Sequence, residues 1–340
     1  MRFLIAGLGS IGRRHFRNLI ALGEKDIVLL RSHLATLPDD ELADYPAEND
    51  LQLALEKHKP EAVIVANPTS LHLDVAIPAA EAGCHILLEK PVSHSLERLD
   101  VLQDAAQKSG SKILVGFQFR YHPMLNKARE LIQEGALGKI LTVHAHWGEY
   151  LPQWHPWEDY RQSYAARADL GGGVILTLTH PLDYLRYLVG EIDSLWSFNG
   201  QISPLEVDVE DTAEIGLRFK SGAIGGVHLN YVQRPPVHRW EIAGTNGTLR
   251  WNNADGILHF YKMQMPFGSY SNSPPAPDIE SFSPTDDFER NQLFVAQTRH
   301  FIEVVRGEVE PVCSLEDGII ALRLALAAKA SESTHRLITL

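Results

Sequence analysis

Short apolar runs and longer amphipathic stretches alternate over the first 118 residues. The run RFLIAG is followed by an amphipathic stretch from about Ile11 to Leu22, then by IVLLR, a second stretch near Leu51 to Lys57, and AVIVAN. A stretch from about Leu71 to Ala82 leads into HILLEK, and one from about Leu96 to Ser109 leads into KILVGFQF. Runs that are apolar at every position predict strands covered on both faces, and the helical stretches between them supply the crossovers of βαβ units. Residues 1–120 are therefore expected to form a doubly wound α/β domain with a parallel sheet, a Rossmann domain.

Beyond Arg120 the period changes. A helix is expected from about Met124 to Glu134, and then come ILTVHAHW, DTAEIGLRF, AIGGVHLNYV, RWEIAG and GTLRWNN, in which apolar and polar residues alternate. Alternation predicts antiparallel strands with one face on a core and one face wet, hence an α+β domain over residues 121–340 with an open, mostly antiparallel sheet. The Pro- and Ser-rich stretch from Pro266 to Pro284 has no periodicity and is expected to be a surface loop. Two helices follow, near Phe288 to Arg306 and Leu315 to Ser331. The second is rich enough in Ala and Leu to be well buried, and is able to pack back on the first domain.

Composition narrows the functions open to such a chain. Apolar residues are 44% and charged residues 22% of the 340, values that support a packed core. The formal charge of -12 disfavours a nucleic-acid partner. Cys84 and Cys313 have no metal-ligand spacing, so reduced, buried thiols are expected and no metal is. The opening MRFLIAGLGSIGRRH turns Gly-rich and basic after six residues, which suits neither a signal peptide nor a membrane span and leads to a cytoplasmic expectation. An exposed sheet face carrying Leu, Val, Tyr and Trp is costly to leave wet and predicts a homodimer or homotetramer through the C-terminal sheet.

Gly7-Leu8-Gly9-Ser10-Ile11-Gly12 follows the first strand and opens the first helix, the context a dinucleotide fingerprint requires. Gly7 permits the turn, Gly9 lets the backbone approach a pyrophosphate, and Gly12 lets helix and strand pack. Ser10 and Ile11 offer amides at the helix start. The second strand ends in Arg31, followed by Ser32 and His33, with no carboxylate to bind a ribose 2′-hydroxyl. Arg31, with Arg13 or Arg14, is a candidate clamp on a 2′-phosphate, so NADP is the expected cofactor, with NAD possible; stacking of Arg31 on adenine is the alternative.

Glu89, Lys90 and Pro91 stand just past a strand, on the carboxyl edge of the sheet, where open α/β folds bind ligands. A lysine there can donate a hydrogen bond to a sugar hydroxyl or shuttle a proton. With the opening GLGSIG, the run ANPTSLH, this EKP triplet, GFQFRYHP, and the stretch from GGG to HPLD, the chain resembles the Gfo/Idh/MocA oxidoreductase family over nearly its whole length. The resemblance implies a Rossmann domain joined to an α/β domain whose open sheet often mediates oligomers. It implies Lys90 as a catalytic or substrate-orienting residue, Asn67, Pro68, Thr69, His72 and Glu89 near the cofactor, and a cis peptide before Pro91.

In the family a GGG segment leads to an aspartate and a histidine at the reacting carbon. Here Gly171-Gly172-Gly173 leads to His180 and Asp183, but Thr177 stands where the aspartate is usually found. A hydroxyl cannot charge-stabilise an imidazolium as a carboxylate does, which leaves the acid-base relay open. His180 is the expected general acid or base, with Asp183 its partner or the substrate's.

The segment WGEYLPQWHPWEDYRQSYAARADLGGG resembles a carbohydrate-enzyme subgroup of the family. Trp154, Tyr160 and Tyr164 suit sugar C–H faces, and Gln118, Arg120, Arg161 and Arg167 suit polar or anionic substrate groups. Packing of these aromatics in a lid or dimer interface is the competing reading. The leading expectation is hydride transfer between a nicotinamide and a secondary alcohol or ketone of a sugar, polyol or derivative. A redox-assisted glycosidase or lyase with tightly bound NAD(H), and a non-catalytic cofactor-sensing regulator, stay open beside it.

Overall fold

In chain order the first elements are β1 (Phe3–Ala6), α1 (Ser10–Ala21), β2 (Ile27–Leu30), β3 (Ala47–Glu48), α2 (Leu51–His58), β4 (Ala62–Val65), α3 (His72–Glu81), β5 (His85–Leu88), α4 (Leu99–Ser109) and β6 (Ile113–Val115). They come from a computed structural model that describes residues 1–32 and 37–340. The six strands form an all-parallel sheet in the order β3-β2-β1-β4-β5-β6. This is the Rossmann order, whose direction reverses between β1 and β4 and leaves a ligand-binding crevice at the carboxyl ends of those strands. Every residue of β1 and β4 is buried, as their unbroken apolar runs require.

The chain continues with α5 (Pro123–Gln133), β7 (Ile140–Tyr150), α6 (Val174–Thr177), α7 (His180–Val189), β8 (Ile192–Gly200), β9 (Thr212–Phe219), β10 (Ile224–Asn230), β11 (Val232–Gly244), β12 (Gly247–Asn252), β13 (Leu258–Lys262) and β14 (Asp278–Phe282). The last elements are α8 (Asn291–Val305), α9 (Leu315–Thr334) and β15 (Ile338–Thr339). Nine strands make a second sheet in the order β14-β13-β12-β11-β7-β10-β9-β8-β15, antiparallel except for the β7–β10 pair. Alternation is literal along β7, where Val143, Ala145 and Trp147 are buried while Thr142 and His144 are exposed.

Two compact units result, one of residues 1–118, 167–172 and 289–323, the other of 119–166, 173–288 and 324–340. A single cut at 120 misses the two returns to the first unit. Helix α8 makes the longer one by placing Phe301 against Phe3 of β1, ring centroids 6.5 Å apart, and Phe294 under the Arg14 guanidinium at 4.5 Å. The Pro266–Pro284 stretch, expected to be loop throughout, contains β14, which pairs with β13 as an edge strand. Its five residues, flanked by Pro and Ser, are too few and too polar for their period to show. Both cysteines are buried and free, and no helix among the described residues is long and apolar enough to cross a membrane.

Candidate active site

The turn after β1 has the conformation its glycines were expected to supply. Gly7 has φ +89°, and a Cβ there would lie 2.5 Å from the Asn67 amide nitrogen; at Gly12 a Cβ would lie 1.9 Å from the Gly7 carbonyl oxygen. Gly9 is different, because a Cβ there would meet nothing within 4 Å. Gly9 and Ser10 are exposed, Ile11 is half-buried, and Gly9 caps α1 without a side-chain hydrogen bond. An open helix start with uncapped amides is the cradle a pyrophosphate requires, so these residues fit a dinucleotide.

The expected arginine clamp is arranged otherwise. Arg13 is 1% exposed, and its guanidinium donates to the Leu8 carbonyl at 3.0 Å, the Leu37 carbonyl at 3.0 Å, Asp39 at 2.9 Å and Glu41 at 3.1 Å, and also to the Pro38 carbonyl. It is a strut that pins residues 37–41 beside α1, and a phosphate cannot recruit it without losing those bonds. Arg14 lies over Phe294. Arg31 pairs with Asp39, whose carboxyl is held below its usual range by Arg31 first and Arg13 second. A carboxylate, absent at the end of β2, stands eight residues after Arg31 at Asp39. Ser32 is exposed, and His33 lies outside the described residues.

On the same carboxyl edge, the turn after β5 carries Glu89 and the half-exposed Lys90, and the Lys90–Pro91 bond is cis. The Glu89 carboxylate is buried: Oε1 lies 2.8 Å from His15 Nε2, and Oε2 accepts from the Lys90 amide at 3.3 Å. Gly116 makes room for it, since a Cβ there would stand 2.9 Å from Oε2. Glu89 therefore shapes the lysine turn from below. His72, expected near the cofactor, is 2% exposed with Nδ1 2.9 Å from the Pro91 carbonyl and Nε2 3.0 Å from the Asn67 carbonyl. It staples the β4 turn to the β5 turn, and burial lowers its pKa against the opposing pull of the Asn67 carbonyl and Glu89. Asn67 closes its own turn by donating to the Leu71 carbonyl at 2.9 Å, Pro68 precedes the 3-10 turn Thr69–Leu71, and Thr69 is buried.

In the second unit Glu210 builds the strip that bears Thr177 and His180. Its carbonyl accepts from the Val174 amide at 2.9 Å, its carboxylate accepts from the Ile175 amide at 3.3 Å, and Lys329 pairs with it at 2.8 Å. Gly173, at φ +105°, is needed because a Cβ would lie 2.4 Å from that carboxylate. The Tyr231 hydroxyl donates to the Ala165 carbonyl at 3.3 Å; burial raises the Tyr231 pKa well above the ordinary value, and the neighbouring Thr177 opposes the shift.

Asp183 was expected to serve His180 or the substrate, and Arg120 to serve a substrate anion. Instead the two form a buried fork, Nη2 to Oδ1 at 2.6 Å with Nε at 3.1 and 3.2 Å from the carboxylate oxygens, the side chains 3% and 2% exposed. A buried pair is not released to a ligand cheaply, so the fork commits much of both side chains to each other. His180 is 2% exposed, stacked on Trp147 and edge-on to Phe119.

Gln118 is 4% exposed. In the aromatic segment, Trp154 meets Tyr231 edge-on at 5.5 Å, Tyr160 accepts from the Glu206 amide at 3.1 Å, and Tyr164 is half-buried. Arg161 pairs with Asp159 and Glu206, and Arg167 with Asp169 at 2.6 Å. These pairs are solvent-facing and screened by water, weak enough to be exchanged for an anion. Spacing did not reveal His15, Asp39, Tyr231, Glu210 or Lys329. The position of His15, one turn beyond Gly12 on α1, is the one signal that pointed at Glu89.

Residues 1–117 match the model of the oxidoreductase family with an NAD-binding Rossmann fold, and residues 125–250 match the GFO/IDH/MocA C-terminal domain. The chain is 27% identical over its whole length to myo-inositol 2-dehydrogenase of Thermotoga maritima, covering 98% of that protein. It is 32% identical to levoglucosan dehydrogenase of Pseudarthrobacter phenanthrenivorans across 56% of this chain and 55% of the relative. A solved levoglucosan dehydrogenase in complex with NADH and levoglucosan superposes over 100% of this chain and 99% of its own, with a TM-score of 0.83 and 22% identity, a likeness of fold.

Proposed function

The chain belongs to the GFO/IDH/MocA oxidoreductase family, and on that premise we propose that it is an NAD(P)-dependent dehydrogenase or reductase acting on a secondary alcohol or ketone of a sugar, polyol or sugar derivative. The observation that carries the reading is one sheet edge with two turns: the open helix start at Gly9–Ser10 after β1, and the braced Glu89-Lys90 turn after β5. The bound nicotinamide supplies the hydride acceptor or donor. Lys90 hydrogen-bonds the reacting oxygen, and its turn is held by Glu89 and His72. His180 takes or gives the alcohol proton, while Asp183 is held by Arg120.

NADP is the finer cofactor reading, and it now rests on Arg31 and Ser32. The exposed Asp39 partner is cheap to displace, and a 2′-phosphate would replace it with charge-assisted bonds to the guanidinium. NAD would be served by Asp39 itself, accepting from the 2′-hydroxyl. The open face of the nine-stranded sheet, with Trp196 and Phe198 exposed on β8, supports a homodimer or homotetramer, and we place the activity in the cytoplasm.

The test is a spectrophotometric panel of inositols, anhydrosugars and aldoses with NAD⁺ and NADP⁺, run on wild type and Lys90→Met. Reduction of the cofactor by at least one polyol is expected, with turnover lost and NADH binding kept in the variant. A panel without turnover, or a methionine variant as fast as wild type, rejects the reading.

A further inference from the structure

His180 opens α7, and Pro181 beside it fixes the backbone but not the ring. The ring is fixed by aromatic neighbours. Its plane lies 21° from the Trp147 indole with centroids 5.3 Å apart, and Phe119 meets it at 5.1 Å and 67°. Trp147 is held in turn. Its Nε1 donates to Glu149 at 2.8 Å, and the His238 ring stacks on it at 4.0 Å and 15°. Phe119 is also edge-on to Trp147 at 5.3 Å and to His238 at 4.9 Å, so one phenyl ring contacts all three members of the stack. The Tyr184 hydroxyl, 3.4 Å from His238 Nε2, links the stack back to α7.

We propose that Trp147 is a positioning residue for His180: its indole, held by Glu149 and His238, sets the plane of the acid-base imidazole. This rests on the reading of His180 given above. Rotation of the imidazole out of this plane about its Cβ–Cγ bond would drive it into the indole face or the Phe119 ring, so the plane of the ring is set before substrate arrives. An indole face accepts a neutral imidazole by offset stacking and an imidazolium by cation–π attraction, so the ring keeps its place through both halves of a proton transfer. In this chain position 177 carries a threonine rather than a carboxylate and Asp183 is gripped by Arg120, and the stack supplies orientation by a different chemistry.

The experiment uses the full chain with ¹³C-labelled histidine and two variants, Trp147→Phe, which keeps a ring face, and Trp147→Met, which fills the space without one. In wild type the His180 ring protons, assigned with His180→Asn, should be shifted upfield by the indole. They should move part of the way back in the phenylalanine variant and fully in the methionine variant. With the polyol that reduces the cofactor in the panel above, Trp147→Met should lower kcat about 10- to 100-fold at unchanged KM, and Trp147→Phe should recover most of the loss.

Unmoved His180 signals, a phenylalanine variant as slow as the methionine one, or a loss confined to KM would each overturn the proposal. Should the methionine variant not fold, the partial shift in Trp147→Phe alone decides. A fully active His180→Asn would instead remove the catalytic reading and leave the ring-current result intact, so the two failures are distinguishable.

Discussion

Replacing Asp183 by asparagine exchanges one oxygen for nitrogen and removes one charge from the buried fork with Arg120. The Arg120 side chain is 3% exposed and lies 4.8 Å over the Tyr187 ring, so it has no direct route to bulk water. The asparagine variant would put a neutral amide where a carboxylate bonds that guanidinium at 2.6, 3.1 and 3.2 Å. Breaking a buried pair by neutralising one partner costs about 3–5 kcal/mol, because the buried cation loses the carboxylate that balances it. Against a typical stability of about 5–15 kcal/mol this is a large share, and at about 2–4 °C per kcal/mol it predicts a melting point lower by roughly 6–20 °C. Calorimetry on Asp183→Asn, Arg120→Met and the double variant Arg120→Met/Asp183→Leu measures it. The double variant should be more stable than either single one, since it removes both charges. A single variant that melts within about 2 °C of wild type, or a double variant as unstable as the sum of the singles, would refute the assignment of Asp183 as a structural partner.

Three further outcomes follow from the same geometry. Burial pushes His122 down to about 4, so the unfolded chain takes up its proton first; stability should be intact above about pH 6.5, fall by up to about 3 kcal/mol between pH 6.5 and 4, and lose this slope in His122→Phe, as read by urea unfolding across pH. Arg31→Ala should lower kcat/KM with NADP about 10-fold or more while changing NAD little, and Asp39→Ala should shift preference toward NADP; equal losses with both cofactors in Arg31→Ala would favour adenine stacking instead. Gly12→Ala should abolish NADH binding in fluorescence titration, because its methyl would stand 1.9 Å from the Gly7 carbonyl oxygen and force α1 off the turn, whereas Gly9→Ala, with open space at Cβ, should still fold and weaken binding by crowding the ligand alone.

What was legible in the sequence was whatever short-range pattern specifies. Buried parallel strands read as unbroken apolar runs, and the glycine fingerprint read as a turn because Gly7 needs positive φ and Gly12 needs the absence of a side chain. The second sheet showed where alternation ran for six or more residues, as in β7, β9 and β12, and was lost in β14, where five residues carry two apolar positions. In the first sheet β3 was lost, because two residues carry no period at all. The return of α8 to the first unit was not legible, since an amphipathic helix announces a face to bury and not the partner that buries it.

Charge pairing was the least legible property, for a physical reason. An arginine in a sequence looks available to a ligand, yet Arg13, Arg31, Arg120, Arg161 and Arg167 all have carboxylates of this chain within ion-pair distance. What separates them is burial: Arg13 and Arg120 are 1% and 3% exposed at the side chain, so releasing either means stranding a charge in a low dielectric, while the exposed pairs of Arg161 and Arg167 cost little to exchange. On the proposed reading, the arginines open to a ligand are those of the solvent-facing pairs and Arg31, whose counter-ion Asp39 is half exposed. On the helix that His180 opens, Asp183 is likewise matched within the second unit by Arg120, and the imidazole itself lies against apolar surfaces that carry no charge to be matched.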